Sequence, residues 1–146
     1  LEFRRVLFRS LASSFKQELL DGVHNFAASG GDTFKIALYT SSATLSSATT
    51  VYTTSGESSG TGYTAGGGTL VNAGTALSGT TAYLDFDDYT WSSATITAAG
   101  ALIYNATQGN KAVAILNFGG TYSSTNGNFT VTFPAATSST AIIILN

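Results

Sequence analysis

The sequence predicts a mainly β protein: an antiparallel β-sandwich, jelly-roll-like, with one short N-terminal helix. Three observations carry this. Apolar and polar residues alternate in short runs such as Thr33–Thr40 (TFKIALYT) and Phe129–Phe133 (FTVTF). Turn residues, many of them among the 16 Gly, separate those runs. Only Phe15, Leu19 and Val23, near the start, carry apolar residues at helical spacing. A chain of 146 residues suits one such domain with its own core.

The first ten residues, LEFRRVLFRS, stand apart. They hold all three Arg of the chain, Arg4, Arg5 and Arg9. The apolar stretch Val6–Phe8 is too short for a signal peptide. The string reads as the translation of a common sequencing adapter. Residues 1–10 are therefore expected to be an artefact that packs poorly, and residues 11–146 to be the single β-sandwich domain. That domain carries 3 Lys against 7 acidic residues, a net charge of −4.

The elements follow in order. Ser14 and Gln17 have the spacing of a capping box, and Gly22 offers a C-terminal stop, which predicts a helix over 15–21. Asn25–Asp32 is a turn-rich connection. Thr33–Thr40 is a strand with Phe34, Ile36 and Leu38 inward. Residues 41–68 are almost all Ser, Thr, Gly and Ala, which predicts a long, flexible surface excursion. Thr69–Ala73 is a weak strand and Ala82–Phe86 a firmer one, with Leu84 and Phe86 inward. Thr90–Ala98 and Ala101–Asn105 follow; the second pairs with Ala112–Phe118 through a turn at Gly109-Asn110. Phe129–Phe133 ends at Pro134. Ala141–Leu145 (AIIIL), apolar on both faces, is expected to be a central strand.

Composition excludes several function classes. The whole chain has 6 Lys and Arg against 8 Asp and Glu, so it lacks the basic clusters that nucleic-acid binding requires. With no Cys it has no thiolate nucleophile, disulfide or Cys-based zinc site, and one His rules out a multi-histidine centre. No apolar run reaches the ~20 residues of a membrane-spanning helix. No cofactor and no catalytic residues are expected.

Few side chains remain as candidates. His24, at a helix end, needs a carboxylate and a nucleophile beside it to act as a general base. Otherwise it is structural. Asp85, Asp87 and Asp88 are a weak calcium alternative; they lack EF-hand spacing, and a strand would put Asp85 and Asp87 on a solvated face. Trp91 with Tyr89, Tyr83 and Tyr104 is a weak sugar-stacking alternative, against the simpler reading of Trp91 as core. Ser59–Gly68 (SGTGYTAGGG) is glycine-rich, but no helix or Lys follows as in a phosphate loop. Asn105 and Asn128 begin glycosylation triplets that are read as chance. The 23 Thr and 18 Ser, with so few charges, leave strand edges without charged guards. Such edges predict association into a homo-oligomer. The expected contact surfaces are the loop with Gly62, Tyr63 and Gly66, and the helix face of Phe15 and Leu19.

Five stretches, FKQELLDGVHNF (15–26), DTFKIALYTSSATL (32–45), SGTGYTAGG (59–67), WSSATITAAGALIYN (91–105) and NKAVAILNFG (110–119), resemble a family of small tailed-bacteriophage proteins found in marine and metagenomic phages. The resemblance covers residues 13–146. It implies a virion structural protein, in capsid decoration or in the tail, contacting itself and other virion proteins and catalysing nothing. A basic residue is common in that family where this chain has Ala99, so one charged contact is missing here. The other expectation kept open is a carbohydrate-binding or adhesin module, which exposure of Trp91 would favour.

Overall fold

The computed structural model describes residues 8–146. Two antiparallel sheets pack together, with one short helix near the N-terminus. In chain order the elements are β1 (Phe8–Leu11), α1 (Ser13–Leu20), β2 (Phe34–Tyr39), β3 (Gly68–Thr69), β4 (Asn72–Ser78), β5 (Thr81–Phe86), β6 (Tyr89–Asn105), β7 (Lys111–Val131) and β8 (Ile143–Leu145). The larger sheet runs β1-β7-β6-β2-β3 and the smaller β4-β5-β8.

Most of the Arg-rich opening, residues 1–7, lies outside the described residues, so the adapter reading is open there. Residues 8–11 form β1, in register with β7 from Phe8 opposite Asn117 to Leu11 opposite Ala114. An edge strand needs only backbone N–H and C=O groups, and Arg9 and Ser10 keep their side chains exposed. Residues 8–11 are thus joined to the sheet through their backbone, with Leu11 half-buried.

Helix α1 starts two residues before the predicted helix. Its N-cap is Ala12, which has no side-chain cap, and the Ser14–Gln17 capping box does not form. Tertiary hydrogen bonds set the start instead: Ala12 N donates to Val113 O and Ser13 N to Ser47 O. The stop is as predicted. Gly22 takes φ +69°, its N–H donates to Leu19 O, and Val23 N donates to Glu18 O, a Schellman closure.

The framework is the β6–β7 hairpin, with strands of 17 and 21 residues. The sequence splits each into two strands, because small residues interrupt the alternation at Ala99-Gly100 and Gly119-Gly120. The strands continue past both points by way of a bulge: Ala98 pairs with Tyr122 and Gly100 with Asn117, and Gly119 takes φ +74° within the unpaired stretch. Gly100 is required at that bulge, since a Cβ there would sit 2.6 Å from Leu116 O. The turn is at Gly109 and Asn110, both with positive φ, as the sequence predicts.

β2 pairs only with the proximal half of β6, from Phe34 opposite Asn105 to Tyr39 opposite Gly100. Along the distal half, part of the 41–68 excursion takes its place. Thr95 N donates to Thr61 O, and Ser58 Oγ to Thr97 O. Gly60 has no side chain because a Cβ there would lie 2.0 Å from Thr95 O. The core joins Phe15, Phe34, Leu102, Phe118, Phe129 and Ile142 into one buried cluster. β8 is an edge strand paired with β5 alone, not the central strand predicted. Ile142 and Ile143 are apolar on successive faces because the chain passes through the core just as it enters the sheet.

Candidate functional site

The chemistry-bearing side chains gather in two polar clusters, neither of which the sequence announces. The first lies between α1, the Asn25–Asp32 connection and the hairpin turn. His24 has a fully buried side chain. Its Nε2 is 2.8 Å from Glu18 Oε2, and its Nδ1 is 2.9 Å from Asn105 Nδ2. Lys111 Nζ donates to the other oxygen, Glu18 Oε1, at 2.8 Å. Asn105 Nδ2 also donates to Asp32 Oδ2 at 2.7 Å, an oxygen that accepts from Asn25 N as well. The rings of Phe15 and Phe26 flank the imidazole. Burial pushes the Glu18 carboxyl up, but hydrogen bonds from Lys111 and His24 outweigh it and hold the group below its usual range. Burial acts likewise on Asp32, and donors from Asn25, Asn105 and Gln108 bring it below the usual range.

His24 thus has the carboxylate a general base needs. It has no solvent access and no hydroxyl nucleophile hydrogen-bonded to it among the described residues. Glu18 lies six residues from His24, and Asn105 is 81 residues away. Periodicity marks neither as a partner. Asn105 is fully buried, so its glycosylation triplet is inaccessible.

The second cluster roots the excursion. Glu57 accepts from Tyr52 Oη and Tyr63 Oη and from Gly66 N, at 2.6, 2.7 and 2.7 Å. Tyr63 Oη accepts from Leu38 N in β2, and Tyr104 Oη donates to Gly66 O. Burial first, then the Glu57 carboxylate, pushes the Tyr52 and Tyr63 phenols well above their usual range. The excursion is therefore fastened to the sheet, not a flexible flap. Glu57 is the residue that sequence reasoning missed; a lone acid in a hydroxyl-rich loop is the one available hint.

The expected contact residues are largely inward. Phe15 is fully buried in the core, Gly66 is buried, and Leu19 and Tyr63 are half-buried; Gly62 is exposed. The helix face of Phe15 faces the sheet because α1 has no other apolar surface to pack against. The exposed large apolar side chains are instead Leu20, Val51, Val71, Leu77 and Leu145.

The acidic triplet does not converge. Asp87 is exposed, and Asp88 Oδ1 accepts from Phe133 N. Asp85 is buried, contrary to the solvated face predicted. Oδ1 accepts from Phe86 N, and Oδ2 has no hydrogen-bond partner. Burial pushes this carboxyl up to about 6, against the pull of the Phe86 amide. Among the described residues no group of three or more His, Asp or Glu is placed to hold a metal ion.

Trp91 is buried at 6 % exposure, and Tyr89, Tyr63 and Phe129 pack around it. It presents no flat stacking face. The larger groove, about 310 Å³, lies where the hairpin bulges, among Thr40, Leu45, Ala99, Gly100, Asn117 and Thr121. Among the described residues no charged side chain lines it. A smaller apolar groove of about 80 Å³ lies between Leu19, Phe26, Leu84, Ile143 and Leu145.

The chain matches no family model, and no curated protein or solved structure is significantly similar to it.

Proposed function

We propose that this protein is a non-enzymatic structural component of a tailed-bacteriophage virion, in capsid decoration or in the tail, that assembles by packing against copies of itself and other virion proteins. One observation supports this most. Leu77, Ala82 and Leu145 stand side by side across β4, β5 and β8, and Leu77 and Leu145 are 72 % and 50 % exposed. Cross-strand partners share a face. The same face carries Leu84 and Ile143 one row away, both buried. The smaller sheet thus extends past the core and leaves an apolar row in water, beside edge strands with no charged residue. Such a row is costly unless covered.

The resemblance of five long stretches to phage proteins gives the reading its biological setting. A carbohydrate-binding role needs an open aromatic platform, and the burial of Trp91 favours assembly over it. Light scattering on the purified chain at micromolar concentration tests the reading. A discrete homo-oligomer is expected; a monodisperse monomer that also fails to bind virion proteins from neighbouring genes overturns it.

A further inference from the structure

The buried cluster at His24 has a property that does not depend on what the protein assembles with. Its hydrogen atoms can be assigned from heavy-atom positions alone. Asn105 Oδ1 accepts from Thr107 N at 3.1 Å and Gln108 N at 3.2 Å. The amide oxygen is thereby committed to the turn, and the NH2 end faces Asp32 and His24. One of its hydrogens goes to Asp32 Oδ2, and the other meets His24 Nδ1. Nδ1 must then offer a lone pair. The imidazole is neutral with its hydrogen on Nε2, donated to Glu18 Oε2. Every polar atom of His24 is satisfied in that one form.

A second proton on the ring breaks this arrangement. It lands on Nδ1 and points at the Asn105 NH2 group, 2.9 Å away. The groups facing the ring from each packed element set the balance. Glu18 of α1 and Asp32 of the connection attract an imidazolium. Lys111 of β7, bound to Glu18, opposes it. Asn105 of β6 can receive an imidazolium only by turning its amide, which surrenders Asp32 and both turn amides. Phe15 and Phe26 leave the ring no aqueous escape.

We propose that His24 is a proton-operated latch: in its neutral Nε2–H form it fastens α1 and the Asn25–Asp32 connection to the β6–β7 turn, and on taking a second proton it turns the Asn105 amide and opens the turn at 106–110. The proton comes from solvent and no other bond forms or breaks covalently. On protonation the device loosens one end of the larger sheet while the core stays folded.

Imidazole ¹⁵N spectra of the full-length protein at about pH 7.5 test the starting state, which should be neutral with Nε2 protonated. Amide exchange at Thr107 and Gln108, corrected for intrinsic rates, should then quicken roughly tenfold between about pH 7 and pH 5, as one or two hydrogen bonds are lost. Reading these two amides separates the latch from Asp85, whose carboxyl, raised to about 6, lies in the other sheet. His24→Gln should abolish the step. A ring protonated on Nδ1 at pH 7.5, unchanged exchange in the wild type, or the same step in His24→Gln overturns the proposal. If His24→Gln does not fold, the wild-type tautomer and exchange step decide alone.

Discussion

The two sheets treat their buried carboxylates in opposite ways. On the larger sheet the side-chain polar atoms of His24, Asn105 and Glu57 all have partners, although Ser14 Oγ of α1 is buried without one among the described residues: Asn105 spends both ends of its amide, and Glu57 takes three donors. On the smaller sheet Asp85 is buried with one oxygen unpartnered, and the apolar row at Leu77 and Leu145 faces water. Satisfied networks rigidify, whereas orphaned charge and exposed apolar surface are borne for some other end. The larger sheet is the scaffold, and the smaller sheet is where stability has been given up.

The sharpest way to break this contrast is at Asn105. Replacing it with Leu leaves His24 Nδ1 and two turn amides without partners inside the protein and takes one donor from Asp32, and should cost about 3–5 kcal/mol in urea unfolding. Glu57→Ala is next. It strands two phenols and the Gly66 amide, should cost about 2–4 kcal/mol, and should expose residues 41–68 to protease.

Asp85→Asn should do the reverse. Because the folded-state value is raised to about 6, the protonated form is the one the fold favours. That contribution is fully present below the ordinary carboxyl range and is lost as pH rises through 6. The asparagine variant mimics the protonated form. It should be more stable than wild type by about 2–3 kcal/mol at neutral pH and above, and equal to it near pH 4. Thermal melts across that range read the crossover. The smallest change is Lys111→Met: its ammonium is 41 % exposed, so losing the ion pair with Glu18 should cost under about 1 kcal/mol.

The sequence makes the fold class legible because alternation survives wherever a strand is half buried, as in Ala94–Ala98 and at Phe129 and Val131. It conceals the length of the hairpin, since Gly100, Gly119 and Gly120 look like ends of strands, whereas they form a bulge on whose far side the same two strands pair again. It mistakes Asp85 for a surface residue because period-two reasoning assumes one wet face, and at Asp85 both faces of β5 are buried: Leu84, Asp85 and Phe86 are all buried in succession. The polar clusters escape entirely: Glu18, Asp32 and Asn105 are brought together by tertiary packing, and no local pattern encodes their meeting. The helix face at Phe15 was the natural guess for a contact surface. An isolated helix of eight residues must bury its one apolar stripe, and it does so against its own sheet.

The central claim, that the apolar row of the smaller sheet is a contact between subunits, is tested most directly by sedimentation velocity on the wild type beside the double variant Leu77→Lys, Leu145→Lys. The account predicts an oligomer for the wild type and a folded monomer for the variant. An identical sedimentation profile for the two, whether monomeric or assembled, would contradict it.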